Sequence, residues 1–410
     1  MKVLITAFLL ALILCGLTNA GYLPFGNAQT GTQDTNITTS ERSWVTQRIF
    51  SGLATLNFGV SIALDSDTNP HICWTSSGTN LMYTSWTGTD WSTNEVNSSG
   101  WDGILAIDTN NVSHICFNDL RLQYAVWNGS GWNTQIVDPT EHHGGAWYSF
   151  ALDSKNNPHI VYSEDHMLIH ASLTGANWSM QTVDISADIF LGISLAFDKE
   201  NNLHIMYDDA TSQKGYNGGT KYAYWTGSGW NTKIVIPNNP PYAHYVSPLA
   251  LDSKGYPHVS IVERGWLYHV SWDGKQWNKE NLTIRSFDSV LALDSKDNPH
   301  IFYYTDDNFG YVSWNGSYWI EQTIASRFNS SEYETVKGAD MVIDAYGNSH
   351  VSYLSGSYRY GGVNYVTYAE PIHPPQNTIL EFLTWATVSV AIVVALIVVI
   401  IIRKKPKQSG

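Results

Sequence analysis

The chain has 410 residues and a formal net charge of −14, with 36 acidic side chains against 22 basic ones. That balance excludes a nucleic-acid partner, because phosphates demand clustered Lys and Arg. The basic residues that do cluster, Arg403, Lys404, Lys405 and Lys407, stand at the extreme C-terminus, directly after an apolar run.

In chain order, Met1-Lys2, the apolar stretch Val3 to Leu14 and the small polar Thr18-Asn19-Ala20 form a secretory signal, with cleavage expected after Ala20. Residues 1–20 are thus the signal and 21–43 an exposed N-terminal segment. Next comes a repeat. The string Ala63-Leu64-Asp65, followed by Asn69-Pro70-His71-Ile72, returns with an unvaried Asp-to-His spacing. The pairs are Asp65/His71, Asp108/His114, Asp153/His159, Asp198/His204, Asp252/His258, Asp294/His300 and Asp344/His350. A second string, Trp86-x-Gly88-x-x-Trp91, follows the first and recurs at Trp127/Trp132, Trp225/Trp230, Trp272/Trp277 and Trp314/Trp319. Blade three keeps it in degenerate form, as Leu173/Gly175/Trp178.

Each unit reads as four short strands, here A to D. Strand A is Ser61 to Leu64, and Asp65 to Pro70 is a turn in which Asp and Asn bond local backbone and Pro fixes φ. Strand B starts at His71, strand C ends at Trp86, and strand D runs from Trp91 to Val96. The runs are β-branched and aromatic, and no stretch before the C-terminal run has a helical period. Four strands per unit at this period predict an all-β, seven-bladed β-propeller over residues 44–370. The seventh unit lacks its own strand D. Ser43-Trp44-Val45-Thr46-Gln47-Arg48-Ile49 resembles Gly131-Trp132-Asn133-Thr134-Gln135-Ile136. The N-terminal strand is therefore expected to close the ring and hide both open edges.

Residues 371–378 form a linker, 379–402 the expected transmembrane helix, whose run from Phe382 to Ile402 is apolar and uncharged and long enough to span, and 403–410 a basic tail. Basic residues beside a span mark its cytoplasmic side. The expected localisation is the cell membrane, single-pass, with the propeller outside. Eight Asn-x-Ser/Thr sequons, at Asn36, Asn97, Asn111, Asn128, Asn177, Asn281, Asn315 and Asn329, are candidate glycan acceptors there. Cys73 and Cys116 each lie two residues after a repeat histidine on neighbouring blades. Equivalent side chains point the same way around a ring, so two free, buried thiols are expected.

These repeats resemble the sialidase-like, Asp-box (BNR-type) propellers of bacterial and archaeal surface proteins. The Trp-x-Gly-x-x-Trp hairpin is similar to those of propeller lectins. The C-terminus resembles archaeal surface anchors, with Glu381-Phe382 matching and Leu380 in place of their proline. The resemblance implies a propeller fold and an extracellular, membrane-anchored setting.

A residue present in every blade serves what every blade shares, so the seven Asp and seven His are assigned to the framework. Function is expected where blades differ. The A–B and C–D turns lie on one face, and the B–C and D–A loops on the other. On that second face the candidates are Asp119, Glu164, Asp165, Asp208, Asp209, Glu263, Asp306 and Asp307. With them stand His142, His143, Trp147, Tyr148, Tyr242, His244 and Tyr245. Carboxylates beside aromatic rings suit a sugar, a cationic peptide or calcium. The leading expectation is a binding module for an extracellular carbohydrate or protein ligand, with no catalytic set and no cofactor unless calcium. The alternatives are a glycan-active hydrolase or lyase using a pair such as Asp208 with Glu263, and a structural surface-layer component. A sialidase would need three convergent arginines, and only Arg121, Arg264 and Arg359 fall near B–C loops.

Overall fold

The computed structural model describes residues 43–54, 59–141, 147–185, 189–209, 219–237, 245–305, 308–326, 335–357 and 360–369. The signal, linker and anchor expected from the sequence lie outside these residues. Among the described residues no helix is long and apolar enough to cross a membrane.

The described chain forms seven antiparallel sheets, each with its strands in the order A-B-C-D. Blade one shows the pattern: Ser61–Leu64, Pro70–Thr75, Leu81–Trp86 and Trp91–Asn97. Strand A of blade five is split into Tyr245–Val246 and Ala250–Leu251, around Pro248. Proline has no N–H for the ladder, which accounts for the interruption.

Ring closure is as the repeat implied. Strand D of the last blade is Ser43–Ala54, paired antiparallel with strand C, Tyr360–Ala369, in the register Trp44↔Tyr368 and Thr46↔Val366. The pairing continues to Ala54↔Gly361, beyond the Phe50 limit expected from the sequence.

Buried residues divide into one apolar cluster per blade interface. Between blades one and two lie Cys73, Leu81, Ile115 and Phe117, and between blades two and three lie Cys116, Tyr148, Phe150 and Ile160. The two cysteines thus pack on opposite sides of the second sheet, and both thiols are free and buried. Gly103 is required beside the first, because a Cβ there would stand 2.5 Å from the Cys73 sulfur.

One aromatic contact repeats around the whole ring. The strand-C residue bonded to the repeat histidine packs edge-on against the tryptophan that opens strand D of the next blade. The pairs are Tyr83–Trp132, Tyr124–Trp178, His170–Trp230, Tyr222–Trp277, His269–Trp319, Tyr311–Trp44 and Tyr365–Trp91. Centroids are 4.8–5.6 Å apart and planes cross at 66–76°. Trp44 therefore fills the slot that a C–D hairpin tryptophan fills elsewhere. Such pairs add about 0.5–1.5 kcal/mol each beyond area burial.

Candidate functional site

The framework residues come first, because they decide what is left for a ligand. Asp65 Oδ1 accepts the backbone N–H of Asp67 and Asn69, at 2.9 and 2.8 Å, and Oδ2 accepts the Asn69 amide at 2.9 Å. His71 Nε2 stands 3.4 Å from Oδ2, and its Nδ1 meets the Tyr83 hydroxyl, which also bonds Ser113 of the next blade at 2.9 Å. All seven blades repeat the Asp–His contact, at 3.3–4.0 Å. Burial pushes the Asp65 carboxyl up, but the Asn69, His71 and Asp67 bonds outweigh it and hold the group below its ordinary range. Burial lowers His71, and Asp65 only partly offsets that, so the imidazole stays neutral. With Nε2–H directed at the carboxylate, Nδ1 is the acceptor for the tyrosine O–H. In blade one these side chains are bonded to one another and to the next blade, which assigns them to the framework.

The B–C/D–A face presents a different surface. Trp147 is 48 % exposed. Its carbonyl accepts the Ser163 N–H at 2.9 Å, which sets the indole's residue beside the next B–C turn. That turn, Glu164 to Met167, is a two-residue hairpin in which Asp165 and His166 both have positive φ, 44° and 62°. It projects Asp165 into solvent, with Glu164 half-buried beneath it. Leu120, at the neighbouring blade-two turn, is 55 % exposed, and Ile185, in the following D–A loop, is 80 % exposed. Exposed apolar side chains and the Asp165 carboxylate therefore stand in turns of this face from blade two to the start of blade four.

Other sequence candidates fall elsewhere. Tyr148 is interior: its hydroxyl donates to the backbone carbonyl of Asp102 and lies 3.3 Å from that of Cys116. Asp208 and Asp209 are both fully buried, in the wholly buried strand Leu203–Asp209. Asp209 binds Lys221 at 2.6 Å, and the same ammonium reaches Asp184 at 3.0 Å. Glu263 is paired with Lys279, whose Nζ sits 4.3 Å from the Tyr268 ring centroid. Asp119 accepts the Gln123 amide at 3.0 Å. Tyr245 pairs through its backbone with Val262. His142, His143, Tyr242, His244, Asp306 and Asp307 lie outside the described residues. Asp208 and Glu263 thus belong to different settings, one sealed in the sheet and one in an ion pair at the rim. No cluster of three or more His, Cys, Asp or Glu suited to a metal occurs among the described residues.

On the opposite face a groove of about 260 Å³ opens between blades four and five, where the sequence was read as framework. Its residues include Tyr222, Tyr224, Lys233, Tyr256, Trp272 and Trp277. The signal was present in the sequence: Tyr224 stands where other blades have Ser85, Val126, Ser172, Ser271, Ser313 or Thr367. Tyr256 stands where they have Asn or Val112.

A closed ring of seven four-stranded blades with distinct faces defines a β-propeller whose sites are grafted on a repeated framework. No protein-family model matches the chain, and no curated protein matches it. Among solved structures, it is similar to a polysaccharide lyase, an ulvan lyase bound to a GlcA(1-4)Rha3S saccharide. That likeness has 11 % identity and a TM-score of 0.53, and covers 80 % of this chain and 94 % of that one. A catalytically inactive virginiamycin B lyase from Staphylococcus aureus, with quinupristin, gives 9 % identity, a TM-score of 0.54, and 80 % and 100 % coverage. A lectin from Aleuria aurantia, with a fucosyl-GlcNAc ligand, gives 13 % identity, a TM-score of 0.48, and 68 % and 97 % coverage. At these identities the likeness is one of fold.

Proposed function

We propose that this chain is a membrane-tethered, extracellular binding module that recognises carbohydrate through the B–C/D–A face of blades two to four. The observation that carries the reading is Trp147, an exposed indole held beside the acidic Glu164–Asp165 turn. A flat aromatic ring stacks on the C–H face of a sugar, and adjacent carboxylates accept its hydroxyl hydrogens. Affinity with the sialidase-like group is proposed for the blade repeat only. The surface favours binding over glycoside hydrolysis, since Asp208 is sealed in its sheet and Glu263 is neutralised by Lys279.

Strand C of the last blade ends at Ala369 on the A–B/C–D face. A short linker from there into the expected anchor directs the B–C/D–A face away from the cell. The test uses the full chain in lipid nanodiscs on a glycan array, with and without calcium. Trp147→Ala is expected to weaken the recognised glycan at least about tenfold, which is ~1.4 kcal/mol. Unchanged binding by that variant would overturn the assignment.

A further inference from the structure

We propose that the groove between blades four and five is a second, independent site, built for a single pyranose ring that carries an anionic substituent. It lies on the A–B/C–D face and does not rest on the reading of Trp147. Tyr222 and Trp277 belong to the inter-blade aromatic pair, with centroids 5.4 Å apart. What differs at this junction is added to that pair. Tyr224 stacks on Tyr222, with centroids 5.7 Å apart, and widens the aromatic wall where most other blades present a small hydroxyl. Tyr256 supplies a facing ring from the next A–B turn and leans over Gly274, where a Cβ would stand 2.6 Å from its hydroxyl.

The framework gives something up to place Tyr256 there. In blades one, three, four, six and seven an Asn side chain donates to the turn aspartate, at 2.7–2.9 Å. Blade five has Tyr256 in that position and keeps only the backbone bond to Asp252, at 2.7 Å. The Asp252–His258 contact is correspondingly the longest of the seven, at 4.0 Å. The Asn is missing from two blades of seven, but Val112 in blade two is simply apolar, whereas Tyr256 turns an aromatic ring to a groove; that local departure marks a functional site rather than a structural need.

The charge at this groove names the ligand class. Lys233 lies exposed at its edge, 5.9 Å from the Tyr224 ring centroid, and makes no ion pair among the described residues. Asp198, close to Gly255, is occupied by the Asn202 N–H, the Asn202 amide and His204 at 2.7, 2.8 and 3.3 Å. The groove therefore offers aromatic faces and phenol hydroxyls beside the Lys233 ammonium, with a second, Lys254, 5.9 Å from the Tyr256 ring centroid, which suits a ring with a carboxylate or sulfate. Its volume, about 260 Å³, falls below the ~300–1,000 Å³ of drug-sized sites and matches one sugar ring rather than a chain. The two hairpins flanking it, at Thr226 and Asp273, carry no sequon, whereas Asn128, Asn177 and Asn315 place sequons on hairpins elsewhere on this face.

The test uses the full chain in nanodiscs, with binding followed through tryptophan fluorescence, since Trp272 and Trp277 line the groove. The probes are methyl glucuronide, galactose 6-sulfate and neutral methyl glucoside. Three variants borrow residues that other blades carry at the same positions: Tyr224→Ser, Tyr256→Asn and Lys233→Gln. Saturable quenching by one of the anionic probes is expected, and which one responds separates carboxylate from sulfate. Tyr224→Ser and Tyr256→Asn should weaken it at least tenfold, and Lys233→Gln should bring it to the level of the neutral glycoside. Tyr256→Asn should also raise the unfolding midpoint, because it restores the missing Asn–Asp bond. Binding that is absent for both anionic probes, equal for the neutral one in the native protein, or indifferent to Tyr224→Ser and Tyr256→Asn would overturn the proposal. Loss of Trp147-dependent glycan binding would leave it standing.

Discussion

Blades three and five carry His170 and His269 at the strand-C position that is tyrosine in the other five. Replacing both by tyrosine is expected to make the propeller markedly less sensitive to acid. Burial, and then the nearby His159, hold His170 down to about 3; burial and His258 do the same for His269. The folded state thus keeps both imidazoles neutral, while the unfolded chain takes up protons near the ordinary value of about 6.5. Their contribution to stability is complete above that pH and is lost progressively as pH falls from about 6.5 toward about 3. At pH 5 each histidine lowers stability by about 2 kcal/mol relative to pH 8, or about 4 kcal/mol for the two. His170 Nε2 lies 2.9 Å from His159 Nδ1, and His269 Nε2 lies 3.0 Å from His258 Nδ1. A tyrosine hydroxyl makes the equivalent bond to His71, His204 and His300. The donor survives the substitution and the proton acceptor does not. The assay is equilibrium guanidinium unfolding, followed by tryptophan fluorescence, at pH 8 and pH 5. The loss of stability between the two should shrink by about 4 kcal/mol in the double variant; identical losses in the two proteins would refute the reasoning.

Two further outcomes follow from closure and from the cysteines. Trp44→Ala removes the edge-on contact with Tyr311 and the 3.1 Å bond to Gln322, and should cost about 2–4 kcal/mol in a chemical denaturation. Val45→Ala, on the exposed face of the same strand, should change stability by less than about 0.5 kcal/mol, and equal effects would mean that the strand is not a closing element. Burial pushes both the Cys73 and Cys116 thiols far up, with Asp102 adding to it. Iodoacetamide should therefore leave them unmodified in the native protein and label both after unfolding; a Cys73–Cys116 linked peptide in a mass spectrum would contradict this.

The blade count, the strand order and the closing strand were legible because every blade repeats the same Asp turn, histidine and tryptophan. Even the exchange of Trp44 for a missing hairpin tryptophan could be read from its neighbours in sequence. The site was less legible, for two physical reasons. A strand buried on both faces carries no alternation to mark its extent: Asp208 reads as a loop carboxylate but is the penultimate residue of a strand whose every residue is buried. Tyr148 looked like a ligand aromatic but spends its hydroxyl on backbone carbonyls of the inner strands. Conversely, Tyr224 and Tyr256 occur inside the repeat, where sameness between blades points to structure. The departure from the repeat at those two positions was the readable signal.

The closing strand also decides how the propeller bears force. Strand C of the last blade, Tyr360–Ala369, is bonded along one edge to Ser349–Ser357 and along the other to Ser43–Ala54. With the proposed anchor beyond it, any tension between the cell and a captured ligand enters the domain through this strand, along its own axis. Both ladders then resist in shear, with many bonds loaded at once, rather than opening one bond at a time like a zip. Ser43, which begins the outermost strand, pairs with Ala369 at the same end of the sheet, and its strand is held by a single ladder. The strand next to the proposed anchor is thus the one held along both of its edges.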